Sequence, residues 1–181
     1  MNNLYLDNHP GCATLLHPSS DEVLGLFEDL LGAGLSLRVQ VTGASMSPFL
    51  TGGELLTIRK VPLAALQRGD LVFFKTSRGV PVLHRLVRKK RAGNGFVMQT
   101  QGDALAGPDE PFLPSDFLGK AARIEKSDAG YPEVIDLESP ARRTINYLLA
   151  MNRLVKSQAR FAARRLFGRL LFLRKRVTSQ G

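Results

Sequence analysis

Leu35-Ser36-Leu37-Arg38-Val39-Gln40-Val41-Thr42 is the stretch that decides the fold. Apolar and polar residues alternate along it, which is typical of a β-strand with one buried face. Short apolar stretches then recur between glycine-containing turns, a pattern that favours a sandwich-like or barrel-like β fold. Further strands are predicted at residues 55–59, 70–75, 80–88, 96–100, 118–125 and 133–137. The sequence therefore predicts a mainly β protein.

Helical patterns flank this β-rich region on both sides. Before it, Ser19 to Glu22 fits a capping box, and apolar residues follow at helical spacing up to Gly32. After it, Pro140 precedes a segment with apolar residues on one helical face, which predicts one long amphipathic helix or two. We therefore divide the chain into an irregular N-terminus (1–18), a β domain with a leading helix (19–140) and a basic helical tail (141–181).

Positive charge is concentrated in the tail. Residues 141–181 contain 11 Lys or Arg and no Asp or Glu, whereas residues 1–140 contain 14 basic and 16 acidic residues. The high isoelectric point therefore says nothing about partners of the β domain. The single cysteine, Cys12, excludes an internal disulfide and a cysteine-based zinc site. We expect neither a cofactor nor a metal.

The tail allows more than one partner. Residues 141–176 suit an anionic membrane surface that would take the apolar side chains while Lys and Arg meet the headgroups. Alternatively, the apolar face packs on the β domain and leaves the arginines in solvent. Nucleic acid is disfavoured because aromatic residues do not alternate with the basic ones. No apolar run reaches about 18 residues, and the N-terminus lacks a basic signal segment, so we expect a peripheral membrane or cytoplasmic location.

Ser45 lies in a loop, Gly43 to Pro48, directly after the first strand. A serine hydroxyl needs a base to take its proton and N–H donors to hold the oxyanion. A bend between Gly43 and Pro48 would let the Ser45 side chain point out of the fold. Backbone N–H groups of the turn, including that of Met46, could then line an oxyanion hole. Serines in such loops are more often ordinary turn residues, so the pattern alone is weak.

His84 is the candidate base. It shares one face of a predicted strand with Val82 and Leu86, and apolar neighbours can keep an imidazole neutral. Two aspartates, Asp103 and Asp109, follow a later strand, and either could orient the imidazole. Each of these residues also has an ordinary structural use, in the core or in a turn.

Several short boxes in order resemble the signal-peptidase superfamily of serine peptidases. Gly43-x-Ser45-Met46-x-Pro48 resembles its nucleophile box, and His84-Arg85 falls where the family has its base. The similarity runs from about residue 35 to residue 126. The other matching boxes are Thr51–Leu56, Arg68–Phe74, Gln101–Ala104 with Asp109, and Leu118–Lys120.

The resemblance implies a mechanism. Ser45 would be the nucleophile, His84 the general base and Asp103 the acid that orients His84, with Asp109 as a weaker supporting acid. A histidine base is similar to the archaeal and endoplasmic-reticulum members, whereas the bacterial ones use lysine. The implied substrate is an extended polypeptide with small residues before the cut, bound as an added β-strand.

Two departures from the family keep other functions open. A capped, acidic helix stands where relatives usually have a membrane anchor, and Gly43 stands where many have a hydroxyl residue, which leaves backbone donors for the oxyanion. A peptide-binding module without catalysis is therefore one alternative. A self-cleaving regulator is another, and it is less favoured because residues 1–34 supply only one clear helix for reading DNA.

Overall fold

A computed structural model describes residues 20–93, 95–128 and 131–177. Helix α1 (Ser20–Gly32) precedes the strands, and helix α2 (Pro140–Val177) follows them. Short 3-10 helices lie at Leu63–Ala65 and Pro114–Asp116. The strands are β1 (Ser36–Gln40), β2 (Leu55–Arg59), β3 (Leu71–Lys75), β4 (Pro81–Ala92), β5 (Gly95–Gln101), β6 (Phe117–Asp128) and β7 (Tyr131–Asp136).

The strands form one antiparallel sheet of seven strands in the order β1-β2-β6-β3-β4-β5, with β7 paired to β6. The prediction of a mainly β fold is confirmed. Each predicted strand is present, and β4, β5 and β6 extend beyond their predicted ends because two long hairpins continue past the alternating residues. The predicted irregular segment 1–18 and its cysteine, and Ser19 of the predicted capping box, lie outside the described residues.

Two apolar clusters occupy the two sides of the sheet. The larger one packs α1 against the sheet, with Phe27 and Leu31 each only 1% exposed beside Phe73. This burial explains the helical spacing of apolar residues in α1. The second cluster joins Phe74, Leu86 and Phe112, and it includes the apolar neighbours of His84.

Within the described residues, the predicted tail is a single helix, α2, which ends at Val177, and its first part packs on the sheet. Ala150 and Leu154 of α2 are buried with Val87 of β4. Asn146 is also buried, and its backbone lies so close to Gly69 that a Cβ at residue 69 would be 2.5 Å from the Asn146 carbonyl carbon. Glycine is therefore required at this crossing.

The face that α2 turns to the sheet is not the apolar face that the spacing picked out. Ile145, Leu148 and Val155 belong to that apolar face, yet they are 44%, 60% and 61% exposed. For the described side chains of α2, the alternative in which this face packs on the β domain is therefore contradicted. Among the described residues, no helix has a stretch apolar and long enough to span a bilayer.

Candidate active site

The structure brings Ser45 and His84 together. His84 Nε2 lies 3.1 Å from Ser45 Oγ, although 39 residues separate them in sequence. His84 projects from β4 and its side chain is only 8% exposed, with the Phe74 ring edge-on beside it. Ser45 is half-buried in the loop after β1. A hydroxyl at this distance can donate its hydrogen to a neutral imidazole.

Asp109 completes a chain of hydrogen bonds behind the imidazole. Its Oδ2 lies 2.7 Å from His84 Nδ1, the ring nitrogen that faces away from Ser45. Thr100 Oγ1 donates to the same Oδ2 at 2.7 Å, and the amide of Asp109 donates to the Thr100 carbonyl. The carboxylate is therefore held in place, and it favours the tautomer with hydrogen on Nδ1 and a free Nε2 facing Ser45.

Asp103, which was expected to orient His84, lies elsewhere. Its two carboxylate oxygens accept hydrogen bonds from Arg85 Nε at 3.0 Å and Arg85 Nη2 at 2.7 Å. Both side chains are almost fully buried, at 0% and 3% exposure. Adjacent strand residues point to opposite faces, so the partner of Arg85 is turned away from His84. The expected order of the two aspartates is thus corrected, with Asp109 next to the imidazole.

The segment that contains Asp103 also fixes the position of Ser45. The amide of Ala104 donates to the Ser45 carbonyl at 2.9 Å. A Cβ on Gly102 would lie 2.6 Å from the same oxygen, so only glycine permits this approach. We call Gln101–Ala104 with Asp109 the acidic box, and the loop from Gly43 to Pro48 that contains Ser45 the nucleophile loop. Gly102 and Ala104 of the acidic box therefore support the nucleophile loop, a role that the sequence did not predict.

A buried carboxylate, Glu54, holds the turn that follows the nucleophile loop. Its side chain accepts hydrogen bonds from the amides of Thr51 and Gly52, at 2.7 and 2.8 Å. Burial alone would raise the pKa of Glu54, but these hydrogen bonds outweigh it and hold the pKa below its ordinary value. The carboxylate is consequently ionised near neutral pH and keeps the turn in place.

Lys75, the lysine that precedes His84 on the neighbouring strand, forms an ion pair with Glu28 of α1. It lies at the end of β3, paired with Pro81 rather than with His84. Lys75 is therefore held by Glu28 and is not a strand partner of His84.

Two signal peptidases are similar to this chain in sequence. The signal peptidase complex catalytic subunit SEC11 of Colletotrichum graminicola is 31% identical over 80 residues, which is 43% of this chain and 46% of that protein. Signal peptidase I W of Bacillus subtilis is 30% identical over 77 residues, which is 42% of this chain and 40% of that protein. These matches support the signal peptidase I superfamily for this chain.

The similarity to signal peptidases is partial. The chain spans less than half the length of either relative that it matches. No protein-family model matches the chain.

A groove beside Ser45 accompanies this signal-peptidase-like site. It is lined by residues 39–43, which run from the end of β1 to Gly43, and by residues 81–83 of β4. Gly43 lines the groove without a side chain to fill it, while the Met46 side chain is 2% exposed and belongs to the core. Within the described residues, the amide N–H groups of Ser45 and Met46 have no hydrogen-bond acceptor.

Proposed function

We propose that this protein is a serine endopeptidase that cleaves leader-type or signal-type peptide segments through an acyl-enzyme on Ser45. The observation that carries the proposal is the line of hydrogen bonds from Ser45 Oγ through His84 to Asp109. In space, a hydroxyl, an imidazole and a carboxylate follow one another as the nucleophile, base and orienting acid of serine hydrolases do. The similarity to two signal peptidases supports the same class of reaction.

The geometry supports a two-step reaction. As Ser45 Oγ attacks the peptide carbonyl carbon, its proton passes to His84 Nε2, and His84 then donates that proton to the leaving amine. Water is next activated by the same nitrogen and releases the acyl group from Ser45. The carboxylate of Asp109 stabilises the imidazolium in both steps, and the amides of Ser45 and Met46 are the candidate donors to the oxyanion.

The groove supports an extended peptide as substrate. The β1 strand stands at one end of the strand order, so one of its edges has no paired strand among the described residues. A peptide added at that edge would run past Gly43 toward Ser45. Apolar lining from Val39, Val41 and Leu83 favours small apolar side chains before the cleaved bond.

The proposal is tested by processing of a co-expressed candidate substrate with Ser45→Ala, His84→Ala and the matched control Ser47→Ala. Ser47 supplies a hydroxyl in the same loop, so its loss controls for local disturbance. We expect Ser45→Ala and His84→Ala each to lose up to about 10⁶-fold in cleavage rate, because nucleophile and base act as a unit, and Ser47→Ala to stay near wild type.

Two outcomes would contradict the peptidase. Unchanged cleavage in Ser45→Ala would exclude Ser45 as the nucleophile. Substrate binding by the wild type without any cleavage would instead favour the non-catalytic peptide-binding module. Intact mass of the purified chain distinguishes the third alternative, because a self-cleaving regulator would show fragments that disappear in Ser45→Ala.

A further inference from the structure

The outward face of α2 carries a row of exposed, mostly apolar side chains. We define the outer face as Ile145, Leu148, Asn152, Val155 and Ala159, all of which are exposed. These residues recur at intervals of three or four, so they form one stripe along the helix. The opposite side is already occupied, since Asn146, Ala150 and Leu154 are buried.

Contacts on the inner side fix which face points outward. Asn146 Oδ1 accepts a hydrogen bond from Arg85 at 3.0 Å, and Arg153 Nε lies 3.8 Å from the Asp103 carboxylate. With Ala150 and Leu154 packed on Val87, the helix cannot rotate to bury its outer face without breaking these contacts. The apolar stripe is therefore a fixed part of the surface.

The charge of the segment restricts what covers this stripe. Residues 141–181 contain 11 Lys or Arg and no Asp or Glu. In sequence, Ala162, Leu166, Leu170 and Leu173 continue the spacing of the outer face. A second copy of the same helix would bring like charges together. A nucleic acid binds basic side chains through its phosphates and would leave the aliphatic side chains of this stripe without a partner.

We propose that the outer face of α2 binds an anionic lipid bilayer surface. An amphipathic helix lying in the interface places its apolar stripe among the acyl chains and its cations at the headgroups. The exposed Leu148 and Val155 supply the apolar contact, and Lys156 is the exposed cation among the α2 residues whose side chains are described. This proposal does not depend on the peptidase activity.

The test is co-sedimentation of the full chain with vesicles of phosphatidylcholine alone or with about one-third phosphatidylglycerol. We expect binding to the anionic vesicles that weakens as salt is raised. The double variant Leu148→Gln/Val155→Gln should bind at least about tenfold more weakly, because two apolar side chains no longer enter the bilayer. Lys156→Gln should bind roughly fivefold more weakly.

Matched controls exist elsewhere on the surface. Leu113 and Val134 are 62% and 56% exposed, so Leu113→Gln/Val134→Gln makes the same chemical change at similar exposure away from α2. Lys90→Gln matches Lys156→Gln in charge, and Lys90 is likewise exposed. Both controls should bind as the wild type does, and circular dichroism should show every variant folded.

Several results would overturn the proposal. Equal losses in the control and outer-face variants would mean that binding does not use this face. Absence of vesicle binding, together with salt-sensitive binding to a labelled oligonucleotide that ignores Leu148→Gln/Val155→Gln, would assign the tail to nucleic acid. Absence of vesicle binding with a dimer that Leu148→Gln/Val155→Gln dissociates would assign the face to a second copy.

Discussion

At the scale of single residues, the two aspartates of the acidic box bind two adjacent residues of β4. Asp109 faces His84, and Asp103 faces Arg85, the next residue along the strand. The Asp109 carboxylate is thus hydrogen-bonded to the imidazole that contacts the Ser45 hydroxyl. The other neutralises a guanidinium that is fully buried.

This division predicts different losses for Asp109→Asn and Asp103→Asn. Asp109→Asn should lower kcat/KM by about 10²–10⁴-fold, because an amide can donate to Nδ1 and favour the wrong tautomer. Its free energy of unfolding should fall by no more than about 1–2 kcal/mol. Asp103→Asn should lower the free energy of unfolding by about 3–5 kcal/mol, because the Arg85 charge remains buried without its partner.

Substrate kinetics and urea denaturation of both variants, at a temperature where both are folded, give the comparison. The reverse pattern, in which Asp103→Asn keeps its stability but loses activity while Asp109→Asn is active, would show that Asp103 orients His84.

At the scale of elements, one irregularity in the β4–β5 hairpin determines which aspartate meets the imidazole. Pairing near the turn joins Ala92 to Gly95 and Arg88 to Gln99. Continued without a shift, this register would place Asp103 opposite His84. A bulge between Leu86 and Arg88 shifts the register by one residue, so that Arg85 pairs with Gln101. Asp103 consequently lies on the side of Arg85 and not on the side of His84.

The sequence predicted the strands well because their signal is local. Alternation such as that of Ser36–Gln40 distinguishes the buried Leu37 and Val39 from their neighbours, whereas Leu35, which precedes the strand, is 53% exposed. The bulge has no comparable local signal, because β4 does not alternate: apolar pairs (Val82-Leu83 and Leu86-Val87) flank His84-Arg85, and four basic residues follow. The sequence suggested that Ser45 and His84 are close only through the resemblance to signal peptidases and the order of the matching boxes. The position of Ser45 depends on the long-range contacts of Gly102 and Ala104 with the Ser45 carbonyl, which no local pattern reveals.

The same contacts lead to a prediction for Gly102→Ala. The added Cβ would lie 2.6 Å from the Ser45 carbonyl oxygen and 2.9 Å from Leu105 Cγ, so the loop must shift. A displacement of about 1 Å between nucleophile and base can lower kcat/KM by up to about 100-fold. We expect a loss of tens of fold in peptide cleavage, with the β-sheet retained by circular dichroism.

Gly107→Ala is the matched control for this change, because a Cβ there meets nothing within 4 Å. It should leave kcat/KM close to that of the wild type. If Gly102→Ala were as active as Gly107→Ala, the acidic box would not be what holds Ser45 in place.

At the scale of the whole molecule, Arg85 joins three separate parts of the chain. It binds Asp103 beneath the nucleophile loop, the Gly69 carbonyl before β3, and Asn146 of α2. The sequence could not reveal this link. Periodicity indicated the more apolar face of the tail as the one to be buried. The face that packs on the sheet is instead determined by contacts with Gly69 and the buried Arg85, both more than 60 residues before Asn146.

The link predicts that Asn146→Ala destabilises the protein although it lies far from Ser45 in sequence. Arg85 Nη1 would lose one of its two acceptors in a fully buried site, at a cost of about 1–3 kcal/mol in the free energy of unfolding. Asn152→Ala removes the same side chain from the exposed face of the same helix and should change stability by less than about 0.5 kcal/mol. Denaturant unfolding gives both values, and hydrogen exchange of residues 146–154 reports whether α2 loosens from β4. Equal stability and equal exchange in the two variants would mean that the hydrogen bond between Arg85 and Asn146 does not contribute to docking the helix.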